Sequence, residues 1–240
     1  MYSERMVLKD MGLYELKMYL KRFYPIKKVV EFRKEKQFKT QNNILNKSGT
    51  EIFFEINEIL NASPNKIFVD FGTLLGAVRE NDLLSWDSDI DYGVVIDDVF
   101  SWDNFEEFMF VHNMKKIKEF QFDGRITEQT YRYKDITIDF FAHFNNEIEG
   151  NVFFYYRKEN YIYHNNAEYH AVLIKTPVIN EITYGNVRNE VVNIPLNFEV
   201  YLESVYTKNW RIPDPNWNGN NASYNNRIEF PGKGRITYFE

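Results

Sequence analysis

The stretch KIFVDFGTLLGAVRENDLLSWDSDIDYGVVI, residues 66–96, decides how this chain is read. It opens with the apolar run Ile67–Val69, which predicts a short buried strand, and then turns at Gly72. A helix begins at LLGAV, a polar loop follows, and a second strand opens at Ile90. Strand, turn, helix, loop and strand make an α/β unit. The second strand starts in acid. Asp87, Asp89 and Asp91 alternate, and alternate residues of a strand share a face. Asp89 and Asp91 therefore point the same way, with Ile90 toward the core.

Two carboxylates side by side repel, so a fold keeps the pair only with a compensating cation. Hard oxygen ligands favour Mg²⁺ or Mn²⁺. A third acid sits between apolar neighbours at Ile138-Asp139-Phe140, where an aspartate also needs a partner. Structural alternatives exist for both: a core Asp139 salt-bridged to Arg79 or Arg132, and an acidic loop on solvent or a calcium-binding turn for the first cluster. The upstream segment weighs against them. Gly72-Thr73 ends a strand and starts a helix, where free backbone N–H groups can hold phosphate. Gly72 lets a ligand approach the backbone and Thr73 adds a hydroxyl. A Gly-Thr turn, Asp-x-Asp 17 residues on, and a third Asp on a later strand resemble the layout of the nucleotidyltransferase fold. In that fold three acids hold divalent metal against a nucleotide's phosphates.

One branch is closer still. Asp70-Phe-Gly72-Thr73-Leu-Leu-Gly76-Ala-Val-Arg79, leading into Trp86-Asp87-Ser-Asp89-Ile-Asp91, resembles the LicD/fukutin family, which carries D-x-G-T-L-L-G-x-x-R before W-D-D-D-I-D. The likeness is dense over residues 69–93 and looser at Ile138-Asp139-Phe140 and at Ile194-Pro195, Tyr201-Leu202, Trp210 and Pro213. It implies a metal-dependent phosphotransferase that moves a phosphorylated alcohol, such as phosphocholine or ribitol phosphate, from a CDP-linked donor to a sugar hydroxyl of a surface glycan. Asp89, Asp91 and Asp139 would hold Mg²⁺ or Mn²⁺, with Asp139 completing the shell or acting as base, and Gly72, Thr73, Arg79 and Trp86 would meet the donor. Ser88 replaces one family acid. Phe141-Ala142-His143-Phe144 stands where many members continue with Pro and another Asp, which makes the acceptor side this chain's own. Two rival functions share the motif: a nucleotidyltransferase that uses an NTP and releases pyrophosphate, and a non-catalytic nucleotide-binding module. Keeping three mutually repelling acids speaks against the latter.

Single residues carry narrower expectations. Arg79 is placed for a phosphate contact or an ion pair with Asp87. Trp86 either stacks on a cytosine ring or fills the core. His143 lies two alternations from Asp139; it either helps deprotonate the acceptor hydroxyl or is a hydrogen-bonded structural histidine. Asp70 either orients the turn or enters the site.

The remaining sequence fits one α/β (α+β) domain over 1–240. N-terminal helices occupy 1–62, a nucleotidyltransferase-like mixed sheet flanked by helices occupies 66–144, and strands, a helix and an irregular tail occupy 145–240. Leu13, Leu16, Tyr19 and Leu20 recur at helical spacing, as do Ile52, Ile56, Ile59 and Leu60, the latter helix capped by Ser48 or Thr50. Residues 101–118 suggest a helix and 136–144 a buried strand. Residues 151–156 with 160–164, and the run 178–192, read as strand pairs. Asn197 is placed to cap the helix FEVYLESVY, and Arg211–Glu240 reads as an irregular wrap.

Composition bounds the rest. The 240 residues carry a net charge of −6, which argues against non-specific nucleic-acid binding. The basic run Lys27–Lys39 reads as a solvated face rather than a contact for anionic lipid or polymer. Cysteine is absent, so disulfides, thiol nucleophiles and zinc fingers are excluded. The N-terminal residues carry charges throughout and no apolar stretch reaches membrane-spanning length, so the expected setting is cytoplasmic, at the inner face of the membrane.

Overall fold

The computed structural model of the protein describes residues 24–159, 161–188, 190–214 and 226–239. The expected stripe at Leu13–Leu20 lies outside them. Helix α1 (Tyr24–Ile44) continues through a π turn (Leu45–Gly49) into α2 (Thr50–Asn61). The chain is already helical at Gly49 and makes no side-chain cap there, so neither Ser48 nor Thr50 starts the helix as expected. Helix α2 buries Ile52, Ile56 and Leu60 of the expected stripe; Phe53 is buried beside them, and Ile59 is only partly covered.

The decisive segment folds as read: β1 (Ile67–Val69), α3 (Phe71–Arg79), a loop, and β2 (Ile90–Ile96). Helix α4 (Trp102–Val111) stops well short of residue 118. Asn113 takes a left-handed φ of 61°, which ends the helix, and β3 (Lys115–Phe122) follows. Strands β4 (Arg125–Tyr133), β5 (Ile136–Asn145) and β6 (Gly150–Tyr156) come next. The partner of β6 is β7 (Glu168–Thr176), not residues 160–164. Tyr163 instead turns its hydroxyl onto the His170 Nδ1 at 2.7 Å, so its segment is held by a side chain rather than by a ladder. A separate hairpin, β8 (Ile182–Val187) and β9 (Glu190–Pro195), precedes helix α5 (Phe198–Tyr206). Asn197 flanks α5 without capping it; its side-chain N–H donates to the Val178 carbonyl.

The C-terminal segment departs most from expectation. Residues 227–238 form β10 (Arg227–Tyr238), which lies between β3 and β7. Pro231, Gly232 and Gly234 make this run look irregular in sequence. The ladder accommodates them in one break of register between Phe230 and Gly234, with Gly232 at a φ of 67°.

The sheet is mixed, in the order β1-β2-β5-β4-β3-β10-β7-β6, and β6 also pairs with β5. Six strands thus form a barrel-like sheet, and β2 and β1 extend it outward from β5. Among the described strand pairs only β2 and β5 run parallel. The main core lies where α2, α3, α4 and α5 cover this extension, around Phe53, Leu74, Phe105, Phe140 and Leu202. No described helix is long and apolar enough to cross a membrane.

Candidate metal centre

The parallel pairing of β2 with β5 sets Asp91 opposite Asp139. Register partners share a face, so both carboxylates leave the sheet on the same side. Asp89 stands at the mouth of β2, and one oxygen from each of Asp89, Asp91 and Asp139 falls within 4.8 Å of the other two. The expected trio is therefore assembled in space. Asp87 joins it, near enough to hydrogen-bond Asp89. Burial first, then the Asp139 and Asp87 charges, raises Asp89 well above the usual carboxylate range. Burial and the neighbouring acids, Asp89 foremost, do the same to Asp91.

The turn before α3 supports this arrangement. Asp70 caps the helix, its Oδ1 accepting from the Phe71 N–H at 2.7 Å, and its own N–H donates to the Asp91 carbonyl at 2.9 Å. Phe71 carries the positive φ, 36°, so the bend lies one residue before Gly72. Gly72 is required for a different reason: a Cβ there would overlap the Asp87 carboxylate. The Gly72 N–H donates to the Asp91 Oδ2 at 3.1 Å, and the Thr73 hydroxyl, buried, accepts from the Asp91 N–H at 2.9 Å. The turn that reads as a phosphate cradle thus grips the Asp91 carboxylate.

Asp70 and His143, uncertain from sequence, prove to be partners. The His143 Nε2 lies 2.7 Å from the Asp70 Oδ2, both fully buried, and the Tyr201 hydroxyl donates to the Asp70 Oδ1. A methyl on Gly93 would strike Phe68 and His143, so that glycine clears space for the pair. Arg79 does not ion-pair with Asp87. Its Nε binds Glu80 at 2.8 Å, its Nη1 donates to the Trp210 carbonyl at 3.3 Å, and its Nη2 is buried with no hydrogen-bond partner. Trp86 is 54% exposed, which removes the core reading, and the Arg79 guanidinium sits 5.7 Å from its ring centre. Asp139 meets neither Arg79 nor Arg132 as a salt bridge; its cation is Lys118.

Sequence reading missed Lys118. Three successive pairings carry one row across the sheet: Asp91 with Asp139, Asp139 with Thr130, and Thr130 with Lys118. The Thr130 hydroxyl donates to the Asp139 Oδ1, and the Lys118 Nζ lies 3.8 Å from that oxygen and 3.7 Å from the Glu128 Oε1. Burial alone would lower Lys118, but Asp139, Glu128 and Asp89 outweigh it and hold the ammonium above the usual lysine range. Burial pushes Glu128 up to about 8. The signal for Lys118 lay in KKIKEFQF, where a lysine shares its strand phase with the buried Phe120. Asn42, also missed, donates to the Ser85 and Asp87 carbonyls at 2.8 and 2.6 Å and so pins the acidic loop to α1. A polar side chain on a mostly solvated helix gives no local sign of that role.

Beside the acids opens a cleft of about 620 Å³ whose walls include Asp89, Asp139, Lys118, Lys115 and Arg132, but not Gly72, Thr73, Arg79 or Trp86. An acidic corner thus faces a basic wall. Carboxylates that converge this closely form a donor set suited to a hard divalent cation, and the cations across the cleft suit a polyanion. No curated protein sequence matches the chain. The family model described as LicD/FKTN/FKRP, nucleotidyltransferase domain, matches residues 65–195, more than half of the sequence. The matched span runs from β1 to β9 and includes Asp87, Asp89, Asp91, Lys118 and Asp139, and on that match the chain belongs to the LicD family.

Proposed function

We propose that this chain is a phosphotransferase that moves a phosphorylated alcohol from a CDP-linked donor to a sugar hydroxyl of a surface glycan, with Asp89, Asp91 and Asp139 holding Mg²⁺ or Mn²⁺. The observation that carries the reading is the convergence of three carboxylate oxygens within 4.8 Å beside a cleft with a basic wall. Family membership supports transferase chemistry of the glycan-modifying type. A divalent cation, when bound there, neutralises charge on the donor's diphosphate. The protein's residues do the rest. Gly72 and Thr73 fix Asp91, Asn42 fixes the loop that carries Asp87 and Asp89, and Thr130 orients Asp139. The glycan oxygen attacks the phosphorus distal to the nucleoside as the bond to the bridging oxygen breaks. CMP leaves, and the hydroxyl proton passes to a carboxylate, for which Asp139 is the nominee. Trp86, which like Arg79 lies outside the cleft walls, offers an exposed ring for a cytosine. The whole of 1–240 acts as one catalytic unit at the cytoplasmic face of the membrane.

Product analysis tests this. CDP-choline, CDP-ribitol and CDP-glycerol are incubated with Mn²⁺ and glycan acceptors, and CMP formation is expected. Pyrophosphate released from an NTP, with no CMP from any CDP-alcohol, would replace this reading with that of a nucleotidyltransferase. Calorimetry adds a second readout: with Mn²⁺ present, CDP should bind more tightly than ADP, GDP or UDP.

A further inference from the structure

Lys118 occupies a position that the metal assignment does not use. It is the cation of the row Asp91-Asp139-Thr130-Lys118, and it lines the cleft together with Lys115 and Arg132. Its Nζ stands between Asp139 and Glu128 at 3.8 and 3.7 Å, both beyond ordinary hydrogen-bond length. The ammonium is held by charge and not locked by a short bond. The side chain is 27% exposed, so it reaches the cleft as well as the acids. Glu128 is buried and, among the described residues, its salt bridge is to Lys118.

A divalent cation at Asp89, Asp91 and Asp139 would compete with Lys118 for Asp139, because two cations cannot both sit against one carboxylate without repelling. The repelled ammonium keeps Glu128 beside it and can gain a new partner in the cleft, toward which it is already exposed. We propose that Lys118 is a charge relay between metal and substrate: it neutralises Asp139 while the metal site is empty and, when metal takes Asp139, turns its ammonium to a phosphate oxygen of a substrate diphosphate in the cleft. Metal and diphosphate then bind cooperatively, and Lys118 carries the coupling. This deepens the phosphotransferase reading and rests on it for the identity of the natural ligand.

The test uses inorganic pyrophosphate and Mn²⁺ as probes, so it does not depend on finding the natural donor. Titration calorimetry measures Mn²⁺ alone, pyrophosphate alone and pyrophosphate in saturating Mn²⁺, for the wild type, Lys118→Met, Lys118→Arg and the remote control Lys175→Met. In the wild type, Mn²⁺ should tighten pyrophosphate binding. In Lys118→Met, Mn²⁺ alone should bind a few-fold more tightly, because a competing cation is gone, while pyrophosphate in Mn²⁺ should weaken about tenfold. Lys118→Arg should recover most of the pyrophosphate affinity and Lys175→Met should match the wild type. Should Lys118→Met fail to fold with Glu128 left unpaired, the double variant Lys118→Met with Glu128→Gln is read against the same expectations. Pyrophosphate affinity within twofold of the wild type would overturn the proposal. So would weaker Mn²⁺ binding, which would make Lys118 a prop for the carboxylates. A wild type that binds both probes cooperatively yet releases no CMP from a CDP-alcohol would sink the phosphotransferase reading and leave the relay standing.

Discussion

Lys118 and Glu119 are neighbours in β3, yet they face two different polar clusters on opposite sides of one sheet. Glu119, 5% exposed, accepts from the Gln121 amide at 2.7 Å, the Gln129 amide at 2.9 Å and the Lys116 ammonium at 3.2 Å. Glu106 accepts from Lys116 and Gln129 at 2.6 Å each, and the Tyr131 hydroxyl donates to the Gln129 Oε1 at 2.7 Å. Each acid there has short donors. Across the sheet, Asp87, Asp89, Asp91 and Asp139 crowd together with Glu128, and Lys118 is their salt-bridge cation among the described residues. A satisfied network stabilises and specifies a fold, whereas one short of cations raises its own pKa values and asks for a ligand. Burial alone does not separate the two; the balance of donors against carboxylates does.

The largest effects should come from removing the acidic pair. Asp89→Asn and Asp91→Asn should each lower turnover by about 10³-fold or more while the metal-free protein melts no earlier than the wild type, since each change relieves repulsion. Near-normal turnover with Mg²⁺ restored after chelation would break the comparison at its acidic end. Asp139→Ala should cost about 10²-fold in turnover. A variant that only melted earlier, with normal turnover below its transition, would move Asp139 to the structural side.

Glu119→Ala should do the reverse. It leaves Lys116 and Gln129 with fewer partners and should destabilise by about 3 kcal/mol, with turnover per folded molecule unchanged. Thermal melts paired with assays well below the transition decide it, and lost turnover in a stable variant would erase the distinction between the two faces.

The smallest effect is on pH dependence. Asp89, Asp91 and Glu128 have folded pKa values raised above their unfolded ones, so the native state holds protons that the unfolded chain releases. Stability of the metal-free protein should therefore fall as pH rises from the ordinary carboxylate range through about 8, the value for Glu128. Mn²⁺ should oppose this, adding about 2.7 kcal/mol at a hundredfold excess over its Kd, and at one fixed Mn²⁺ concentration more at pH 8 than at pH 6. Melting temperatures across pH, with and without Mn²⁺, measure it. A metal-free protein that stabilised steadily from pH 5 to 8 would contradict the crowded-acid picture.

How much of this was legible follows the range of each interaction. The run from β1 to β2 could be read from sequence because strand, cap, helix and alternation are set by residues a few positions apart. Asp70 as a candidate for orienting the turn and Asp89 with Asp91 on one face belong to that local class. Residues 160–164 and 227–238 misled because aromatic content and Pro-Gly composition report propensity, while their state was set by a His170 contact and by two flanking strands. The Gly72–Thr73 turn reads as a phosphate cradle since a helix N-terminus advertises free N–H groups, and nothing local says that a carboxylate 19 positions away takes one of them.

The sequence by itself determined that a turn precedes an acidic strand mouth and that Asp91 faces away from Ile90, because side-chain direction along a strand is fixed by the backbone's own repeat. The tertiary structure alone decided which acid stands opposite Asp91, which cation reaches Asp139, and that β10 enters between β3 and β7. Those outcomes depend on pairing between strands far apart in the chain, and a shift of one residue in any of them would turn its carboxylate or ammonium to the other face.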